Sequence, residues 1–111
     1  MNRVTKSYIK NNAIMRSYNR GTTLHGVKYL RVERNVYYNV MGHTVYSKGY
    51  GEINNYVVNN VVAGVVTSSS MLVSDLHNPA CFSFSSVDNF VVGNRAAGSK
   101  GTGFHFGSRG E

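Results

Sequence analysis

Four Asn residues, Asn12, Asn35, Asn60 and Asn94, each close a β-type run: YIKNN, LRVERN, YVVNN and FVVGN. Three positions before each stands a β-branched residue, Ile9, Val32, Val57 or Val91. Small or apolar residues follow each Asn, and a second β-run closes the unit. The steps between the four Asn residues are 23, 25 and 34 residues. A period of roughly 20–30 residues without helical spacing marks a solenoid, and the β-rich runs make it an all-β parallel β-helix of about four rungs. A stack of rungs has side faces and two ends, so any function must sit on one of these.

The rungs run approximately over 4–26, 27–51, 52–86 and 87–107. All fall within a single β-helix domain or fragment spanning 1–111. The third rung exceeds its neighbours through VVTSSSMLVSDLHNPA, which predicts a side loop at 67–80. Four rungs at about 4.8 Å each stand only about 20 Å tall. Both ends would then expose unpaired strand edges, open to protein partners or to self-association. Stacked Asn amides should bond rung to rung at the turns. Counting from the repeats places Thr23, Thr44, Phe82 and Phe104 in one column of the closing strands. His25, Tyr46, Phe84 and Phe106 fall in the next.

The net charge of +7 is unevenly placed. Residues 1–34 hold Arg3, Lys6, Lys10, Arg16, Arg20, Lys28, Arg31 and Arg34 against Glu33 alone, and the remaining residues balance. A basic first rung and a half points to an acidic partner, with Arg16, Arg20, Lys28, Arg31 and Arg34 as the contact residues. The alternative is a solvated charged edge that deters aggregation. Tyr8, Tyr18 and Tyr29 are interleaved with these cations and could stack on sugars or bases. No nucleic-acid motif is present, which disfavours nucleic acid as the partner.

Catalytic and metal chemistry find little support. Glu33, Glu52, Asp75 and Asp88 fall in different parts of the repeat, so spacing places no carboxylate pair. His25, His43, His77 and His105 sit at different repeat offsets, and no metal or other cofactor is expected. GSKGTG at 98–103 lacks the order of a phosphate-binding loop and reads as a turn. Cys81, the one cysteine, lies in ACFSF and reads as a small core filler. No apolar run is long enough for a transmembrane helix. The first residues, MNRVTKSYIKNN, contain no signal-peptide core.

Several segments carry a family resemblance: His25-Gly26, RNVYYNVMGH at 34–43, Ser74-Asp75, and NRAAGSKGTGFHF at 94–106. In this order and spacing the chain resembles the β-helical repeats of the fibrocystin, cell-migration-inducing hyaluronan-binding protein and transmembrane hyaluronidase group. That resemblance implies a right-handed parallel β-helix in an extracellular or membrane-associated parent, although the compartment itself cannot be read from the residues. Some members of the group bind or depolymerise hyaluronan. Where the group commonly carries Glu-Asp-Gly, this chain reads Ser47-Lys48-Gly49, which argues against carrying enzymatic activity over.

The combined reading is a non-catalytic structural or binding solenoid that assembles with protein partners through its ends or side face. The alternative is a carbohydrate-active module that binds or depolymerises an acidic glycan such as hyaluronan, with His43 and Asp75 beside the basic face.

Overall fold

A computed structural model of the chain describes residues 7–47, 53–67, 78–85 and 88–106. These form a parallel β-helix whose rungs each contribute one strand to each of three sheets. Rung one holds β1 (Ser7–Lys10), β2 (Ala13–Met15) and β3 (Thr22–Leu24). Rung two holds β4 (Leu30–Glu33), β5 (Val36–Met41) and β6 (Val45–Ser47). Rung three holds β7 (Tyr56–Val58), β8 (Val61–Val66) and β9 (Ala80–Phe84). Rung four holds β10 (Phe90–Val92), β11 (Arg95–Ser99) and β12 (Thr102–Phe106). The first sheet is β1-β4-β7-β10, the second β2-β5-β8-β11 and the third β3-β6-β9-β12, with every pairing parallel.

The turn between first and second sheets explains the repeated Asn. Its leading residue, Asn11, Arg34, Asn59 or Gly93, adopts a left-handed backbone with φ of 58°, 55°, 55° and 68°. Asn and Gly enter that region most readily. The ladder Asn follows. In each of the first three rungs its backbone N–H and Nδ2 both donate to the Oδ1 of the Asn below. The distances are 3.0 and 3.1 Å from Asn12 to Asn35, 3.0 Å twice from Asn35 to Asn60, and 2.9 Å twice from Asn60 to Asn94. Nδ2 also donates to the carbonyl of Ile9 from Asn35, of Val32 from Asn60 and of Val57 from Asn94. Each amide thus satisfies turn backbone that a buried corner would otherwise orphan.

A second, shorter ladder lies at the start of the first sheet. The Asn55 backbone N–H and Nδ2 donate to Asn89 Oδ1, both at 3.0 Å, and the Leu30 N–H donates to Asn55 Oδ1 at 2.9 Å. Leu30 occupies this position in rung two, so the Asn recurs in only the last two rungs of the column.

Inside the stack the columns are apolar. Val32 and Val57 are fully buried between Ile9 above and Val91 below, and Tyr37 and Val62 lie between Ile14 and Ala96. Burying each such aliphatic side chain is worth about 1.5–3 kcal/mol. Tyr37 sits at the centre, where its hydroxyl pairs with Thr22 Oγ1 at 2.8 Å. Cys81 is part of this core.

The third sheet corrects the expected columns. Phe82 does stack on Phe104, and Phe84 on Phe106, at ring separations of 4.9 and 5.7 Å. In the upper rungs, however, Thr22 and Val45 share the Phe82 column, while Leu24 and Ser47 share that of Phe84. Thr23 and Tyr46 lie with Ser83 and His105 between them, and His25 falls outside the strand. A one-residue slip reverses every side chain in a strand, so burial of Leu24, Val45 and Phe82 selects the register. The connection from second to third sheet spans 42–44 in rung two and 67–79 in rung three. The side loop expected at 67–80 falls there, and its residues 68–77 lie outside the described residues.

Candidate binding face

Because strand side chains alternate, the first sheet turns two columns outward. One is Tyr8, Arg31, Tyr56 and Phe90; the other is Lys10, Glu33, Val58 and Val92. Parallel in-register pairing brings the first column into direct contact. The Tyr56 and Phe90 rings stack at 4.7 Å and 10°, and the Arg31 guanidinium lies 4.9 Å from the Tyr56 ring centre. Lys10 Nζ lies 4.8 Å from that of Tyr8. Tyr8 is 64% exposed and Phe90 50%, so the stripe is open to solvent. Rings over which cations are already seated form a flat platform that also carries positive charge.

Glu33 organises the cations. Its Oε1 accepts from Arg31 Nε at 3.2 Å, its Oε2 from Arg34 Nη1 at 2.7 Å, and Lys10 Nζ stands 3.9 Å from Oε1. The Arg31 hydrogen bond is the main force holding this carboxyl below its ordinary value of 4.5. The charges of Arg34, Arg31 and Lys10 add to it against an opposing desolvation. Arg34 occupies a left-handed turn position, and its Nε donates to Asn11 Oδ1 at 3.0 Å, which pins the side chain across the rung. One carboxylate facing three cations leaves the patch net positive, and the Arg31 and Arg34 side chains remain 44% and 52% exposed.

The five basic residues expected to act together are split among the corners. Arg31 and Arg34 share the first sheet's face and edge. Lys28 is exposed in the connection between β3 and β4. Arg16 and Arg20 lie on the connection between β2 and β3. Arg16 lines an open groove of about 260 Å³ with Ser17, Tyr18, Asn39, Met41 and Val66, and the Arg20 guanidinium covers the Tyr46 ring at 4.6 Å. Lys10, Tyr56 and Phe90 were missed as members of the face. The signal for the two rings was present: Tyr8, Arg31, Tyr56 and Phe90 each stand four residues before a ladder Asn, whereas Lys10 stands two before Asn12.

His43 is not exposed. It is buried, stacks on Tyr46 at 5.0 Å and accepts the Ala80 N–H on Nδ1 at 3.1 Å. That nitrogen carries no proton, and the ring braces the wall where a glycan contact was expected. Asp75 lies outside the described residues. Among the described residues no group of three His, Cys, Asp or Glu side chains gathers to hold a metal ion, and no helix is long and apolar enough to cross a membrane.

A short parallel β-helix with Asn-laddered corners and an aromatic–cationic side face defines the class of this molecule. Its sequence matches the CEMIP beta-helix family over residues 1–78, and the chain belongs to that family. It is 38% identical to mouse fibrocystin-L and 35% identical to human fibrocystin-L, each over 92% of this chain and 2% of the relative. A G8 domain-containing protein of Dictyostelium discoideum is 32% identical over 95% of this chain and 8% of its own length. The chain therefore spans only a small part of the curated relatives it matches. No solved structure gives a significant match.

Proposed function

We propose that this β-helix is a non-catalytic binding and assembly module, joined to protein partners through its ends and side face, and that the first sheet's outer face receives an acidic partner. The observation that carries the reading is the continuous Tyr8–Arg31–Tyr56–Phe90 stripe with Lys10 and Arg34 along its upper half. The paired rings offer dispersion contact, and the cations offer charge and hydrogen-bond donors. Kinship with the fibrocystins fits an extracellular or membrane-associated parent.

A second reading takes the acidic partner to be a polysaccharide such as hyaluronan. The near-parallel Tyr56 and Phe90 rings favour it, since sugar faces stack on such rings. Binding, without depolymerisation, is what this face supports.

Titration with hyaluronan oligomers and with poly-glutamate, at rising salt, tests both. Arg31→Ala with Arg34→Ala should weaken binding about 10-fold, the scale of two exposed charge contacts. Arg16→Ala, on another corner, should leave it within about 2-fold. Equal losses from both variants, or binding indifferent to salt, would sink the assignment of this face. Preference for hyaluronan over poly-glutamate would select the second reading.

A further inference from the structure

The second sheet bends along one column. Arg16, Asn39, Gly64 and Gly98 lie level across its four rungs, and all adopt a left-handed backbone, with φ of 55°, 55°, 78° and 69°. Before the bend, Met15, Val36, Tyr38 and Val61 are exposed; after it, Met41 and Val66 pair in register and are half-buried. The chain leaving β2 is held beside them, since the Ser17 carbonyl accepts the Met41 N–H at 3.0 Å. Asn39 lies against Gly64, where a Cβ would come within 2.8 Å of its Oδ1. Together these parts wall the groove of about 260 Å³ between Arg16, Ser17, Tyr18, Asn39, Met41 and Val66.

The chemistry of this face is apolar with charge of one sign. Met41 and Val66 supply apolar side chains to the groove, and the Tyr18 ring is 80% exposed at it. Among the described residues no ion pair engages Arg16, and the four strands of this sheet carry no carboxylate. Arg95 opens β11 and Lys100 follows it, so both add positive charge at the fourth rung. Exposed apolar surface rimmed by polar residues marks an interaction site.

From this geometry we infer that the outer face of the second sheet docks an acidic segment of a partner polypeptide, which seats one large apolar side chain in the groove and a neighbouring carboxylate on Arg16. Sites for whole small molecules span about 300–1,000 Å³, so this smaller groove suits a single side chain. Charge complementarity selects the acidic partner. A concave groove receives a protruding side chain, which a lipid surface does not offer. The same face of a second copy would set Arg16, Arg95 and Lys100 against their like. This site is separate from the stripe on the first sheet. Hyaluronan and poly-glutamate carry no large apolar side chain to seat here, so Arg16→Ala should spare their binding.

The probe is the capped peptide acetyl-Gly-Phe-Glu-Gly-amide, titrated into the isotope-labelled full chain and followed by NMR. Two control peptides carry Ala in place of Phe or Gln in place of Glu. Amide resonances of Ser17, Tyr18, Asn39, Met41 and Val66 should shift. The Ala peptide should bind about 10-fold more weakly or worse, the scale of one buried ring. The Gln peptide should bind about 3-fold more weakly, the scale of an exposed ion pair. Arg16→Ala should abolish the preference for Glu over Gln and keep that for Phe over Ala. Arg31→Ala with Arg34→Ala should leave peptide affinity within about 2-fold, so the two sites fail separately. Equal affinity for all three peptides, shifts confined to Tyr8, Tyr56 and Phe90, or a Glu preference that survives Arg16→Ala would overturn the inference. So would shifts of the same resonances with phosphatidylserine vesicles, or on concentrating the chain alone, when the peptide itself does not bind.

Discussion

Asn60 donates twice to Asn94, from its backbone N–H and from Nδ2, with both bonds to the same Oδ1 at 2.9 Å. Its own Oδ1 receives the equivalent pair from Asn35, and it is fully buried. One side chain therefore satisfies groups in the rung above and the rung below. Only a primary amide supplies an acceptor and two donors in that space.

Asn60→Ala should accordingly cost about 3 kcal/mol or more, because it strands the Asn35 donors and the Val32 carbonyl in a buried corner. Asn12→Ala, at the exposed end of the same ladder, should cost about 1 kcal/mol or less. Chemical denaturation of the two variants measures the difference. Equal costs would mean that the ladder contributes no more inside the stack than at its end.

Glu33 makes acid the vulnerable side of the pH profile. Its folded-state pKa is depressed, so its contribution is present above the ordinary value of 4.5 and is lost as pH falls through the folded value. Unfolding midpoints measured from pH 6 downward should drop below about pH 4.5 in the natural protein. In Glu33→Gln that drop should be smaller. The same variant uncovers Arg31, Arg34 and Lys10, so it should bind poly-glutamate more tightly at neutral pH. Weaker binding would show that Glu33 positions the arginines and does not compete with the partner.

Gly21 is required by close approach. A Cβ there would lie 2.6 Å from Cδ2 of the buried Tyr37 ring and 2.9 Å from the Thr44 carbonyl oxygen. Gly21→Ala should destabilise the fold by about 1–3 kcal/mol, as expected for overpacking against parts that cannot move. Gly26→Ala meets nothing within 4 Å and bears only the strain of its φ of 69°. Thermal melts should therefore rank Gly21→Ala as the less stable of the two.

Tyr37 marks the alkaline limit. Burial raises its pKa above 10.0, with the Thr22 hydrogen bond opposing in part. A raised folded-state value means the contribution is complete below pH 10 and declines as pH rises beyond it. Tyr37→Phe should remove that alkaline decline while costing about 1–2 kcal/mol at neutral pH for the lost hydroxyl pair. Stability curves at pH 7 and pH 11 separate the two effects. Parallel declines in both proteins would place the alkaline titration elsewhere.

The first ladder was legible in one dimension because a left-handed turn followed by an amide recurs wherever the chain bends from the first to the second sheet. The second was not, since Leu30 stands in rung two where an Asn would have extended the Asn55–Asn89 pair. Counting from the ladder Asn also lost register on the third sheet. The connection after β2 spans 16–21, against 42–44 after β5 and 67–79 after β8. Variable connections erase phase, and only the packed core restores it. The binding face shows the same divide. Arg31 and Arg34 were legible as cations, but the face they share with Tyr56 and Phe90 depends on residues 22 to 59 positions away that strand stacking brings together.

By itself the sequence determined the stack: β-branched residues three before each Asn, turn-forming residues at each corner, and a basic first half. Those are local preferences, and a repeat copies them from rung to rung. Tertiary structure alone decided which cations share a face and that His43 is buried against Tyr46 and the Ala80 backbone. Each of these depends on the register between rungs, which is set by the burial of side chains such as Leu24, Val45 and Phe82.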